Sequence, residues 1–244
     1  FVILKLRPGL IVSKKISQYG PYDFDGKYMF SDFSRWSSGH NAAFDQLIEE
    51  CRGKDCVIDI GAHIGLVSLP MSEVISNNGM VYAFEASPTN ATYLQRHLEI
   101  NNVDRVEVIT KAVGEYLGSV MLRENNDVSG MNSIVNISSD SEHRPMGYSK
   151  NMEEQIITVP VTTIDVFCRE RNIAPDIIKI DVEGAELMVL NGARNILNKA
   201  SPVIYLSVHP RQLTTLGGNV EQLRETIYTL GYRIFRTDGT MLLD

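Results

Sequence analysis

The 244 residues carry 30 acidic and 23 basic side chains, a net charge of −7, and 43% of them are hydrophobic against 22% charged. The negative balance argues against broad binding to nucleic acid, and no apolar run reaches the length of a membrane span. Three scattered cysteines, Cys51, Cys56 and Cys168, supply neither a disulfide framework nor a C-x-x-C zinc spacing; they read as reduced thiols, and no metal is expected.

In chain order, residues 1–12 are apolar apart from Lys5, Arg7 and the breaker Pro8-Gly9, the pattern of one or two short edge strands. No leader pattern of basic, apolar and small residues stands there, so the cytoplasm is the expected compartment; the missing initiator Met leaves a removed leader or further domain open. Residues 19–30 are dense in aromatics and turn formers without a period, and read either as a lid or as an arm packed on a sheet edge. The run Ser37-Ser38-Gly39-His40-Asn41 precedes a helical pattern of Phe44, Leu47 and Ile48. Ser38 reads equally as a helix cap or a site residue, whereas Asn41 reads as a cap.

Next comes an apolar strand, Cys56-Val57-Ile58-Asp59-Ile60, a turn, Gly61-Ala62-His63-Ile64-Gly65, and a helix over residues 66–75 in which Pro70 marks a bend or the first turn. Glycines in such a turn let the backbone approach a ligand, and a helix's opening turn presents unpaired N–H groups. The strand of residues 79–84 then ends in Glu85, about two dozen residues after Gly61, where a doubly wound sheet places a carboxylate on ribose hydroxyls. A dinucleotide fingerprint would read G-x-G-x-x-G, but Ala62 and His63 interrupt it, so the spacing favours an adenosine lacking a pyrophosphate.

Ser87-Pro88 opens another helix, as cap and first helical residue. Residues 105–113, 119–123 and 156–161 alternate as strands, and the polar run of residues 124–155 reads as a long mobile insertion and the chief candidate for acceptor selection. Residues 176–182 form a nearly all-apolar strand, suited to burial on both faces, with Lys179 as the exception. Three acids, Asp181, Glu183 and Glu186, follow around Gly184 at the carboxyl edge shared with Gly61 and Glu85, where charges are costly unless paired or used. Another buried-type strand, residues 202–208, ends in His209 at the same edge; a helix over residues 220–230 and a hairpin turning at Asp238-Gly239 close the chain.

Together, residues 57–65, 81–85, 111–114 and the octet Lys179-Ile180-Asp181-Val182-Glu183-Gly184-Ala185-Glu186 resemble the FkbM family of S-adenosylmethionine-dependent methyltransferases, over roughly residues 55–209. The resemblance implies an α/β fold of class I methyltransferase (Rossmann-like) type. Its seven-stranded, mostly parallel sheet carries helices on both faces and a C-terminal antiparallel hairpin. One structural domain is expected, with residues 1–50 an N-terminal arm and 51–244 the catalytic part. S-adenosylmethionine would be held by Ser38, Asp59, Gly61, Ala62, His63, Gly65, Glu85, Ala86, Ser87, Ala112, Val113 and Asp181. Asn132, Ser133, Glu183 and Glu186 would meet the acceptor, a hydroxyl of a sugar, glycan or natural-product-like molecule, and Asp181 and His209 would carry catalysis. His63 stands where the family more often has Asn and reads as a cofactor-loop residue rather than the base. Ser87 replaces the family's usual Asp, and Ser207 stands where an acid is common, which keeps open a noncatalytic protein that binds the cofactor only. A Rossmann oxidoreductase is the remaining alternative.

Overall fold

A computed structural model describes residues 9–38, 41–125, 133–134 and 154–242. Its centre is a five-stranded, all-parallel sheet. The strands are β3 (Cys56–Ile60), β4 (Met80–Phe84), β5 (Val106–Ile109), β10 (Ile177–Ile180) and β11 (Val203–Leu206), in the order β11-β10-β3-β4-β5. Every residue of β3 and β10 is buried, as near-continuous apolar runs in a parallel sheet require. The period of two sorts their side chains into two layers. Val57, Val81, Ala83 and Ile177 face a core with α1 (Phe44–Glu50), α2 (Ser68–Val74) and α3 (Pro88–Ile100). Ile58, Ile60, Phe84 and Ile178 face a second core, with α4 (Ile164–Arg171), α5 (Glu186–Asn191), α6 (Arg194–Ala200), α7 (Pro210–Thr215) and α8 (Val220–Thr229).

The aromatic N-terminal segment is a packed arm. β1 (Ile11–Ile16) and β2 (Tyr19–Asp25) pair antiparallel, and Ile16, Tyr22 and Phe24 sink into the first core. Phe24 meets the ring of His97 on α3 edge-on, and Asp23 exchanges two backbone hydrogen bonds with the Asn101 side chain. Of the strands expected in residues 1–12, residues 1–8 lie outside the described set.

A second sheet, ordered β6-β9-β7-β8, joins β6 (Ala112–Val113), β7 (Gly118–Asn125), β8 (Ser133–Ile134) and β9 (Glu154–Thr162) around Ala112, Leu122 and Val159. The ends of the expected insertion are therefore strand, Ser133 pairs opposite Arg123, and Asn132 lies outside the described residues.

Pro70 is the third residue of α2 and so marks its first turn, one of the two readings open to it. Two details differ from the sequence reading. The main sheet has five strands among the described residues rather than seven. The C-terminal turn makes a single antiparallel bridge, between Phe235 and Met241, because nearly every side chain from 231 to 242 is exposed and buries no apolar face.

Candidate functional site

Because β3, β4, β10 and β11 run parallel, their carboxyl ends open at one edge, as doubly wound sheets arrange their ligand crevices. The crevice there encloses about 1920 Å³ and extends along β11. Gly61, Ala62 and His63 line it after β3, Glu85 and Ala86 after β4, Asp181 and Glu183 after β10, and Ser207 and His209 after β11, with Ala112 and Val113 on the flank.

Glu85 is 7% exposed and lines the crevice after β4. Its Oε2 accepts from the His63 N–H at 2.8 Å, and its Oε1 from the Ser87 N–H at 2.9 Å and the Asn90 side chain at 3.4 Å. Burial pushes its pKa upward against these bonds. His63 is held at φ 53°, and its Nε2 is buried without a partner beside the crevice. Burial, aided by the positive Lys179, lowers its pKa to about 4, so the imidazole is neutral at pH 7.

The glycines serve packing. A Cβ at Gly61 would lie 1.9 Å from the Asp181 carbonyl oxygen, and one at Gly65 would lie 2.6 Å from Leu94 Cδ1. The N–H groups of Gly61 and Ala62 both point to the Phe84 carbonyl, and that of Gly65 to the Ala62 carbonyl, so they are not an anion cradle.

Beneath the turn sits a buried ion-pair network. Asp59 is fully buried; its Oδ2 accepts from Ser68 Oγ at 2.6 Å, and its Oδ1 lies 3.0 Å from Lys179 Nζ. Lys179 also donates to the Gly61 carbonyl at 2.8 Å and lies 3.8 Å from Asp181 Oδ2. Burial opposes the lysine's charge, but Asp59 and Asp181 outweigh it and hold its pKa above the ordinary value.

At the ends of β10 and β11, His209 Nδ1 lies 2.7 Å from Glu186 Oε1, while its Nε2 lies 3.6 Å from both Asp181 Oδ1 and Glu183 Oε1. The Glu186 hydrogen bond raises the imidazole's pKa; burial opposes this, and Glu183 and Asp181 reinforce it. Glu183 is itself raised, first by burial, and its Oε2 accepts from Gln212 at 3.2 Å. No group of three or more His, Cys, Asp or Glu among the described residues is arranged to hold a metal ion.

The model of the methyltransferase FkbM domain matches residues 59–234 of this chain. The chain belongs to the FkbM methyltransferase family. It is 28% identical over 145 residues to Methyltransferase 1 of Beauveria bassiana, covering 56% of this chain and 57% of that protein. It is 27% identical over 180 residues to the hexuronic acid methyltransferase AglP of Haloferax volcanii, covering 70% and 64% respectively. The chain thus spans less than two thirds of the length of these curated relatives. Among solved structures it is similar to an FkbM methyltransferase from Methylobacillus flagellatus KT, with a TM-score of 0.47, 22% identity and coverage of 73% of this chain and 38% of that one.

Four expected cofactor residues, Ser38, Asp59, Gly65 and Ser87, stand away from the crevice wall. Exposed Ser38 bonds the Arg35 carbonyl in a local turn, because α1 starts only after Ala43; Asn41, expected as a cap, lines the crevice instead. Asp59 is consumed by Ser68 and Lys179, and Gly65 is pressed against Leu94. Ser87 is buried as the N-cap of α3, accepting from the Asn90 N–H and donating to the buried Glu124. The sequence reading missed Lys179, Asn90, Glu124 and Gln212 as supports of the site. Only Lys179, a lone charge in an apolar strand, announced itself.

Proposed function

We propose that the protein is an S-adenosylmethionine-dependent methyltransferase, its arm of residues 1–50 packed on a catalytic domain of residues 51–244, that methylates a hydroxyl of a sugar, glycan or natural-product-like acceptor. The observation that carries this reading is the crevice itself. A buried carboxylate, Glu85, and an unpartnered imidazole nitrogen, His63 Nε2, line one end of it, and the Asp181 and His209 pair lines the neighbouring strand ends.

These residues fit an adenosine-bearing ligand. Glu85 Oε2 accepts one bond and has a lone pair left for a ribose hydroxyl, Ala86, Ala112 and Val113 offer apolar wall to a base, and His63 Nε2 lacks a hydrogen-bond partner. S-adenosylmethionine supplies an activated methyl group when bound, so the chain's own work is alignment, exclusion of water and management of one proton. A hydroxyl keeps its proton at neutral pH and calls for a base, which His209 Nε2 supplies once unprotonated; Asp181 Oδ1, 3.6 Å from that nitrogen, favours the ring once it has taken the proton. The similarity to a hexuronic acid methyltransferase supports a sugar acceptor. The three free, buried cysteines support a reducing, cytoplasmic setting, and no described helix is long and apolar enough to cross a membrane.

Calorimetric titration with S-adenosylmethionine and with NAD, followed by methyl transfer from labelled cofactor to a pool of sugars, uronic acids and alcohols, tests the proposal. The expected result is binding of S-adenosylmethionine alone and label on a hydroxyl oxygen. Binding without transfer to any acceptor would return the noncatalytic reading.

A further inference from the structure

Glu186 is a carboxylate in a place where packing alone would put an apolar side chain. It opens α5, is fully buried, and receives two hydrogen bonds on Oε1: the Gly184 N–H at 3.0 Å and His209 Nδ1 at 2.7 Å. Oε2 is buried without a partner. A buried carboxyl group with an unfilled lone-pair side is retained at a cost, and its one side-chain partner among the described residues is the imidazole that faces the crevice.

The backbone is bent to make that contact. Glu183 at φ 49° and Gly184 at φ 107° are successive left-handed residues, so the chain leaving β10 reverses before α5 and carries Glu186 beneath His209. A Cβ at Gly184 would lie 2.6 Å from the Gln212 backbone, which seats this turn against α7, whose first residue follows His209.

We propose that Glu186 is a positioning residue for His209, not an acceptor contact: it takes the Nδ1 proton as a hydrogen bond, fixes the tautomer that leaves Nε2 as the accepting nitrogen, and stabilises the imidazolium. The proposal rests on the hydroxyl-methylation reading above. As the acceptor oxygen forms its bond to the methyl carbon, the carbon–sulfur bond of the bound sulfonium would break with its electron pair going to sulfur, so that S-adenosylhomocysteine leaves; the O–H electron pair stays on oxygen, the proton passes to Nε2, and none passes on to Glu186. The other groups facing this imidazole are Asp181 and Glu183, each 3.6 Å from Nε2. Lys179 stands behind Asp181, and Gln212 of α7 behind Glu183. The carboxylates also raise the imidazole's pKa, but neither of them holds Nδ1, so tautomer and orientation fall to Glu186 alone.

The test is nitrogen NMR of the His209 ring across pH, on the intact chain with neither cofactor nor acceptor, in wild type, Glu186→Gln and Glu186→Asp. Glu186→Gln should lower the titration midpoint by about one unit or more and mix the tautomers of the neutral ring. Glu186→Asp keeps the charge but loses reach, so its midpoint should fall between the two, and it decides the matter alone if the Gln variant does not fold. In turnover on a hydroxyl acceptor, Glu186→Gln should shift the alkaline rise of kcat to lower pH and lower its plateau about 10²-fold, with acceptor KM little changed. An unchanged midpoint and tautomer overturn the proposal, as does wild-type turnover in a variant whose midpoint has moved. A wild-type protein that binds the cofactor and methylates no hydroxyl overturns the reading beneath it instead, and the ring titration tells the two failures apart.

Discussion

Lys179 and Asp59 stand in register on neighbouring parallel strands, Nζ 3.0 Å from Oδ1, with the same ammonium donating to the carbonyl of Gly61. One buried charge pair therefore ties the glycine turn after β3 to the strand that delivers Asp181. Lys179→Met would leave the buried Asp59 carboxyl group without its ion-pair partner. A loss of about 3 kcal/mol or more is expected in urea unfolding, with much of it recovered when Asp59→Asn is added. Additive losses in the double variant would contradict a direct pair.

Glu85 has two duties, holding the His63 and Ser87 N–H groups and facing the crevice. Glu85→Ala should weaken S-adenosylmethionine binding by about 1.5–3 kcal/mol in calorimetry, the worth of charge-assisted hydrogen bonds, and unchanged affinity would remove it from the cofactor site.

Acid should destabilise the fold through His63. Its folded pKa of about 4 lies below the ordinary 6.5, so its contribution is complete above pH 6.5 and is lost as pH falls from there through 4, where the unfolded chain takes up the proton first. His63→Asn removes the titrating ring and suits φ 53°. The drop in Tm between pH 7 and 4 should therefore be smaller in the variant; His209, raised rather than lowered, acts in the opposite direction and cancels in the comparison.

Glu124 is nearly fully buried at the end of β7, accepting from Ser87 Oγ, the Thr89 N–H at 3.1 Å and the Gln155 side chain at 2.9 Å. It fastens both stems of the insertion to the first turn of α3, next to Glu85. Shortening residues 126–153 while keeping Glu124 and Gln155 should leave S-adenosylmethionine binding intact and change acceptor choice. Glu124→Ala should weaken cofactor binding by loosening the Ser87 turn, together with a stability loss of about 1–3 kcal/mol. Cofactor binding abolished by the deletion in a folded protein would make the insertion part of the cofactor pocket.

Much of the frame was legible because parallel strands buried on both faces announce themselves: β3 and β10 stand out as apolar runs, and the shared direction of the strands brings Glu85, Asp181 and His209 to one edge. β11 reads from its sequence as equally buried, but it is the edge strand of the sheet and none of its residues is buried, because only β10 flanks it. The unread parts depended on partners distant in sequence. Ser87 looked available to a ligand, and nothing local showed that Glu124, 37 residues on, would take its hydroxyl. Gly61 and Gly65 looked like room for a ligand, when the Asp181 carbonyl and Leu94 already fill the space a Cβ would need. The alternation of residues 119–123 revealed a strand but not the separate sheet it joins, because pairing is decided by β9 from beyond the insertion.

The central claim is a methyl group delivered to oxygen between Asp181 and His209. It is tested most directly by following ¹³C-methyl-labelled S-adenosylmethionine into product by NMR, in wild type, Asp181→Asn and His209→Ala, with cofactor affinity measured alongside. The account predicts an O-methyl signal from wild type, rising with pH as His209 loses its proton, and its loss in both variants while cofactor binding is largely kept. Label on nitrogen or carbon, or full transfer by both variants, would contradict it.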